Sequence, residues 1–264
     1  MDLQLNGKHA LVTGSTSGIG QAIAARLLRE GATVTINGRS QDSVEATVTK
    51  LRELGDVHGV AADVGTARGV LDLAAAAEKT AKVDILINNA GKFEPVEFEK
   101  ITDEQWEDIY RVNVLSGIRL SRALLPAMKR AGWGRIVFIA SESALSIPTE
   151  MIHYGMTKTA QLSVSRGLAK LLKGSGVTVN TVLPGPTWTG GVETFVAQLA
   201  AEAGVSEQQM KDSFVPENRP LSLIERFIEP REVADLVAYV ASPLSSATTG
   251  AAMRADGGIV DSLV

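Results

Sequence analysis

The chain contains no cysteine, which excludes a disulfide framework, a thiolate metal site and a thiol nucleophile. Histidine is scarce as well: His9, His58 and His153 are scattered without ligand spacing and read as structural or surface groups. No metal is expected. No uncharged apolar run reaches membrane-spanning length, and the opening MDLQLNGKHALVTG lacks a basic stretch followed by a long apolar one. A cytoplasmic protein is expected. Excess positive charge is missing too: a formal net charge of -4 argues against a general nucleic-acid or anionic-membrane surface and leaves small molecules as the expected partners. Repeats, low-complexity tracts and linkers rich in Pro, Gly and Ser are absent. With 264 residues and 45% hydrophobic content, a single domain over residues 1–264 with one substantial core is expected.

What is present is an alternation. HALVTG is followed by helical periodicity from about Ile19 to Glu30, then TVTIN, then a helix near Asp42 to Leu54. The segments VHGVAAD, VDILINNA, GRIVFIAS and VTVNTVLPG are nearly continuous apolar runs, as expected of parallel strands covered on both faces. This pattern predicts an α/β, Rossmann-type doubly wound parallel sheet of about seven strands. The stretch from Pro186 to Glu229 breaks the rhythm, and its Phe195, Leu199, Met210, Phe214 and Phe227 need something to cover. A mobile substrate lid is the expectation, against a fixed helical insertion packed on the core.

Two local patterns carry chemistry. Directly after the first strand, Thr13, Gly14, Ser15, Thr16, Ser17, Gly18, Ile19 and Gly20 form a TGxxxGxG turn that opens a helix. Glycines let the backbone approach a pyrophosphate, and the helix N-terminus offers unpaired N–H groups and a positive dipole end. At the end of the second strand the chain reads Asn37, Gly38, Arg39, Ser40, with no carboxylate for the adenosine ribose hydroxyls. A guanidinium there favours NADP(H), with NAD(H) as the alternative. Further on, Tyr154 and Lys158 lie four residues apart, on one helical face. A free tyrosine titrates near pH ~10, so a neighbouring cation that favours the phenolate is expected to lower its pKa. The pair is a candidate proton donor and acceptor.

Taken together, TGSTSGIG, the NNAG of Asn88 to Gly91, Asn113 in RVNVLSG, Ser141 thirteen residues before Tyr154, YGMTK, and the PG of Pro184 and Gly185 resemble the classical short-chain dehydrogenase/reductase (SDR) family. The resemblance covers nearly the whole chain. The glycine spacing is unlike the TGxxGxxG of extended epimerase-like members, and the Tyr154 to Lys158 gap is unlike that of family enoyl reductases. Carbonyl reduction or alcohol oxidation is implied. The resemblance makes Tyr154 the general acid or base, with Lys158 lowering its pKa and binding the nicotinamide ribose. Ser141, with Ser143 as its rival, would hydrogen-bond the substrate oxygen, and Asn113 would hold a water in a proton relay. It implies Asp63 and Val64 near the adenine, Asn89, Ala90 and Gly91 along the ribose, and Thr187 and Thr189 at the carboxamide. Pocket candidates are Glu142, Ala144, Ile147, Pro186 and Trp188, beneath lid side chains. A homotetramer built through the segments Thr102 to Arg130 and Met151 to Lys173 is also implied. Within the class, 3-oxoacyl-[acyl-carrier-protein] reduction is a special case, weakened by Gly132 and Ser175 where basic docking residues are wanted, although Lys129, Arg130 and Lys173 lie nearby. A non-catalytic dinucleotide-binding regulator is the reading from a different class.

Overall fold

The apolar runs become strands buried on both faces. In the computed structural model, which describes residues 1–263, the strands are β1 (His9–Val12), β2 (Thr33–Gly38), β3 (Val57–Ala61), β4 (Ile85–Asn88), β5 (Gly134–Ile139), β6 (Val177–Pro184) and β7 (Ala252–Ala255). They form one parallel sheet in the order β3-β2-β1-β4-β5-β6-β7. Every residue of β5 and β6 is buried, which is why those segments carry no polar alternation.

Helices cover both faces. On one lie α1 (Gly18–Arg29), α2 (Gln41–Leu51) and α9 (Pro230–Ala241), whose Ile23, Leu27, Val44 and Val237 share a core with Val34, Ile36 and Ile85. On the other lie α3 (Ala67–Thr80), α5 (Ser116–Ala131) and α6 (Ile152–Leu171), with Leu73, Leu120 and Leu124 packed on Leu11, Leu86 and Ile136. Each fully buried aliphatic side chain of this kind is worth about 1.5–3 kcal/mol. The strand order reverses between β1 and β4, so the loops leaving their C-terminal ends diverge and leave a crevice.

Two departures from regularity shape the site. Between α4 (Asp103–Tyr110) and α5, residues Arg111–Leu115 widen into a π-helical turn, a local strain typical of functional positions. The stretch that broke the rhythm folds into α7 (Gly190–Ala203) and α8 (Glu207–Asn218). Its apolar side chains largely cover one another: Val196, Val215 and Phe227 are buried together against Trp188, Val192, Met210 and Phe214. Its two ends are tied together, with Ile228 N donating to Pro186 O and Trp188 N to Ile228 O, both at 2.8 Å. No helix among the described residues is long and apolar enough to cross a membrane.

Candidate active site

The glycine loop is held in shape from below. Thr13 Oγ1 accepts from the backbone N–H groups of Asn89 (3.0 Å) and Ala90 (2.9 Å), while Asn89 Nδ2 donates to the carbonyls of Thr13 (2.9 Å) and Gly14 (3.0 Å). Gly14 has φ of 58°, and a Cβ there would stand 2.9 Å from Ala90 Cα, so the crossing of the two loops requires glycine. Ser15 is fully buried and donates to Val12 O at 2.7 Å, and a Cβ on Gly20 would strike the Asn89 amide. Ser15, Gly20 and Asn89 therefore brace the turn. Above it, Gly14, Thr16, Ser17, Ala90 and Gly91 line a cleft of about 660 Å³. The N-cap residue of α1, Ser17, makes no side-chain cap bond, and the first turn of that helix holds no acidic residue. Its N–H groups are left for an anion. Gly18 packs beside Thr189, whose Cγ2 lies 3.2 Å from where its Cβ would be.

At the far end of the cleft lie Arg39, Asp63 and Val64. Arg39 is exposed and makes no ion pair with any described residue. Asp63 accepts from Gly65 N at 2.9 Å, which fixes the turn beside it. Sequence reasoning missed three further cations along this cleft: Lys92, Arg111 and Arg119. Lys92 and Arg111 both bind Asp108, and the hydrogen bond from Lys92 holds that carboxyl below its ordinary range.

Where the crevice meets α6, the four expected catalytic groups converge. The Tyr154 ring is half-buried with its ionising hydroxyl enclosed, and Lys158 Nζ sits 5.5 Å from the ring centroid. Lys158 donates to Ile139 O at 2.9 Å, and burial lowers its pKa to about 8, with Glu142 pulling the other way. Burial also decides the phenol. It raises the Tyr154 pKa, Glu142 raises it further, and Ser141 opposes both. The shift therefore runs opposite to the lowering expected from Lys158, because a desolvated phenolate beside a carboxylate is costly. Tyr154 is held in its protonated form. Asn113 is buried, with its amide donating to Lys92 O (2.9 Å) and Thr157 Oγ1 (3.0 Å) and accepting from Lys92 N (2.8 Å). Its main-chain carbonyl, exposed by the π turn, accepts from Gln161 Nε2 at 2.6 Å, a partner that sequence spacing gave no sign of.

Ser141 Oγ donates to Glu142 Oε2 and accepts from Ser143 N at 3.1 Å, while Ser143 Oγ donates to Glu142 Oε1 at 3.3 Å. Both candidate serines therefore address the same carboxylate. Beside them is a pocket of about 220 Å³ lined by Ile19, Phe93, Ser141, Glu142, Tyr154, Pro184, Gly185, Pro186, Thr187, Thr189, Phe195, Phe214 and Arg219, among others. Three expected lining residues are not there. Ala144 is buried with Ala140 and Leu183, Ile147 is 49% exposed and packs over Gly155, and Trp188 turns away to stack edge-on with Phe227 and under Lys211. Arg219, from the end of α8, was not foreseen. Its side chain approaches Glu142 at 3.6 Å and Glu150 at 3.7 Å. The histidines are structural: His9 bonds Thr35 and Ala81, His153 stacks against Trp106, and His58 faces Asp56.

A parallel sheet wound in this order, with a bare helix N-terminus at its switch point and a Tyr-Lys pair beside it, defines a nucleotide-binding oxidoreductase fold. Residues 8–200 match the family model for short chain dehydrogenases, and the chain belongs to that family. It is 49% identical over 266 residues to the uncharacterized oxidoreductase YvaG of Bacillus subtilis, with both chains covered in full. It is 35% identical to D-beta-hydroxybutyrate dehydrogenase of Rhizobium meliloti, across 95% of this chain and 98% of that one. Among solved structures, L-sorbose reductase from Gluconobacter frateurii, complexed with NADPH and L-sorbose, superposes with a TM-score of 0.94 at 31% identity over the whole of both chains.

Proposed function

We propose that this oxidoreductase interconverts a ketone and a secondary alcohol with NADP(H), using Tyr154 as the proton donor and acceptor. One observation carries the proposal: an enclosed phenol and a buried ammonium stand together on α6, with Lys158 beside Gly91, which lines a cleft that also holds Arg39, a guanidinium without an ion pair among the described residues. The glycine loop residues Gly14 to Gly20 and the α1 N-terminus would hold the pyrophosphate. Arg39 would bind the adenosine 2′-phosphate, Asp63 and Val64 would flank the adenine, and Asn89 to Gly91 would flank the adenosine ribose. Lys158 would hold the nicotinamide ribose, with Pro184, Gly185, Thr187 and Thr189 at the nicotinamide. When bound, the nicotinamide supplies or takes up the hydride at the substrate carbon.

The chain's own residues handle the proton. In reduction Tyr154 gives its proton to the substrate oxygen, and its raised pKa means that the phenol is protonated before the transfer. Lys158 stabilises the phenolate left behind, and Ser141 steadies charge on the oxygen. Asn113 and Gln161 fix the segment through which the phenolate is reprotonated. The α7–α8 unit closes over the pocket from its tied ends, and copies of the chain associate through α5 and α6 as a homotetramer. The names of relatives that act on L-sorbose and on D-beta-hydroxybutyrate support a small carbonyl or alcohol substrate. The test is oxidation of NADPH, with NADH in parallel, followed by absorbance across ketones, aldehydes, sugars and 3-oxoacyl thioesters. Turnover with one group supports the proposal; NADPH binding without turnover on any of them refutes it in favour of a non-catalytic binder.

A further inference from the structure

Glu142 is a buried carboxylate, 5% exposed, in a pocket whose other walls include Phe93, Met151, Val192, Phe195 and Phe214. A carboxylate in such surroundings needs hydrogen bonds and a counter-charge. Oε2 has the Ser141 hydroxyl. Among the described residues Oε1 is served only by the Ser143 hydroxyl at 3.3 Å and Arg219 at 3.6 Å, both beyond a good hydrogen bond. One acceptor position facing the pocket is therefore weakly filled.

The Ser141 hydroxyl has a single proton, and it is committed to Glu142. A substrate carbonyl can take that proton only if Glu142 receives another donor. We propose that Glu142, held in place by Arg219, makes the pocket selective for an uncharged ketone bearing a hydroxyl on the neighbouring carbon, a choice that rests on the oxidoreductase function above. The substrate hydroxyl donates to Glu142, and Ser141 is released to donate to the carbonyl. Both exchanges occur on one small ligand, which leaves no polar group orphaned. Anionic ketones are excluded by the same geometry. An anionic ketone would set a second carboxylate beside Glu142, whose own charge Arg219 meets only at 3.6 Å.

Acetoin, butanone and acetoacetate are matched in size and differ in the group beside or beyond the carbonyl. With NADPH, kcat/KM for acetoin should exceed that for butanone by at least about tenfold, the worth of one hydrogen bond to a charged acceptor, and acetoacetate should be the poorest. Glu142→Ala should bring the acetoin-to-butanone ratio to about one, the ratio and not the absolute rate being the readout. Glu142→Gln, which keeps the shape, should lower that ratio as well, because a neutral amide oxygen is a weaker acceptor than a carboxylate. NADPH affinity and the unfolding midpoint, measured for both variants, report folding. Equal kcat/KM for acetoin and butanone in the wild type, a ratio unchanged in both variants, or a preference for acetoacetate each overturns the assignment while leaving the oxidoreductase function standing. Reduction of none of the three overturns the assignment, and silence across the wider panel removes the oxidoreductase function with it.

Discussion

Arg39→Ala should weaken NADPH by about tenfold and leave NADH nearly unchanged. The magnitude follows from the position of the side chain. Arg39 is exposed, lines the cleft and holds no carboxylate among the described residues, so truncation disturbs no ion pair among them and removes contacts to a ligand. Hydrogen bonds to a charged group contribute about 1.5–3 kcal/mol each when well formed. Solvent exposure puts this site at the lower end, and about 1.4 kcal/mol corresponds to a factor of ten in affinity. Fluorescence titration of each dinucleotide against wild type and variant measures the effect directly. Raising the ionic strength should shrink the difference between the two dinucleotides, since an exposed phosphate contact is screened. Arg39→Asp should go further, repelling the phosphate and offering the ribose hydroxyls of NADH an acceptor. Equal losses for NADPH and NADH would remove Arg39 from the phosphate site and leave Lys92, Arg111 or Arg119 to supply the charge.

Lys158 should leave a signature in stability against pH. Its folded pKa of about 8 lies below the ordinary lysine value of about 10.4, so the unfolded chain binds the proton more tightly, and this group's contribution to stability rises between those two values. Lys158→Met removes that term, so the unfolding midpoint of the variant minus that of the wild type should fall as pH climbs from about 8 to about 10; a flat difference contradicts the burial argument. The α7–α8 unit should be separately breakable. Phe214 stacks on Phe227 at 5.3 Å and meets Phe195 edge-on at 6.1 Å, so Phe214→Ala should cost about 3 kcal/mol locally. Faster limited proteolysis within residues 190–218 and a higher KM for the ketone, with NADPH affinity unchanged, are the expected results. Unchanged proteolysis would mean that the aromatic cluster does not hold the unit together.

The sheet was legible because β5 and β6 are buried along their whole length and read as apolar runs that only a doubly covered parallel strand explains. The glycine turn and the Tyr154 to Lys158 spacing were legible because both are local. Long-range contacts were not. Nothing near Arg219 in the sequence points to Glu142, which lies more than seventy residues away, and only the return of α8 over the pocket joins them. Trp188 was expected in the pocket from its place after Pro186, yet its indole is captured by Phe227 and Lys211. The direction of the Tyr154 shift was also misjudged from spacing, since the four-residue interval reports the cation nearby and says nothing of burial or of Glu142. The apolar residues between Pro186 and Glu229 signalled that something must be covered, without signalling that most of them cover each other.

The most direct test of the account is Tyr154→Phe, measured for NADPH affinity and for turnover on the best ketone together. The change removes one hydroxyl and keeps the ring that packs edge-on with Phe93 at 6.3 Å. NADPH affinity within about twofold of wild type and a loss of at least about 10³-fold in kcat are predicted for removal of the proton donor. Turnover near the wild-type rate would contradict the assignment of Tyr154 as the group that moves the proton.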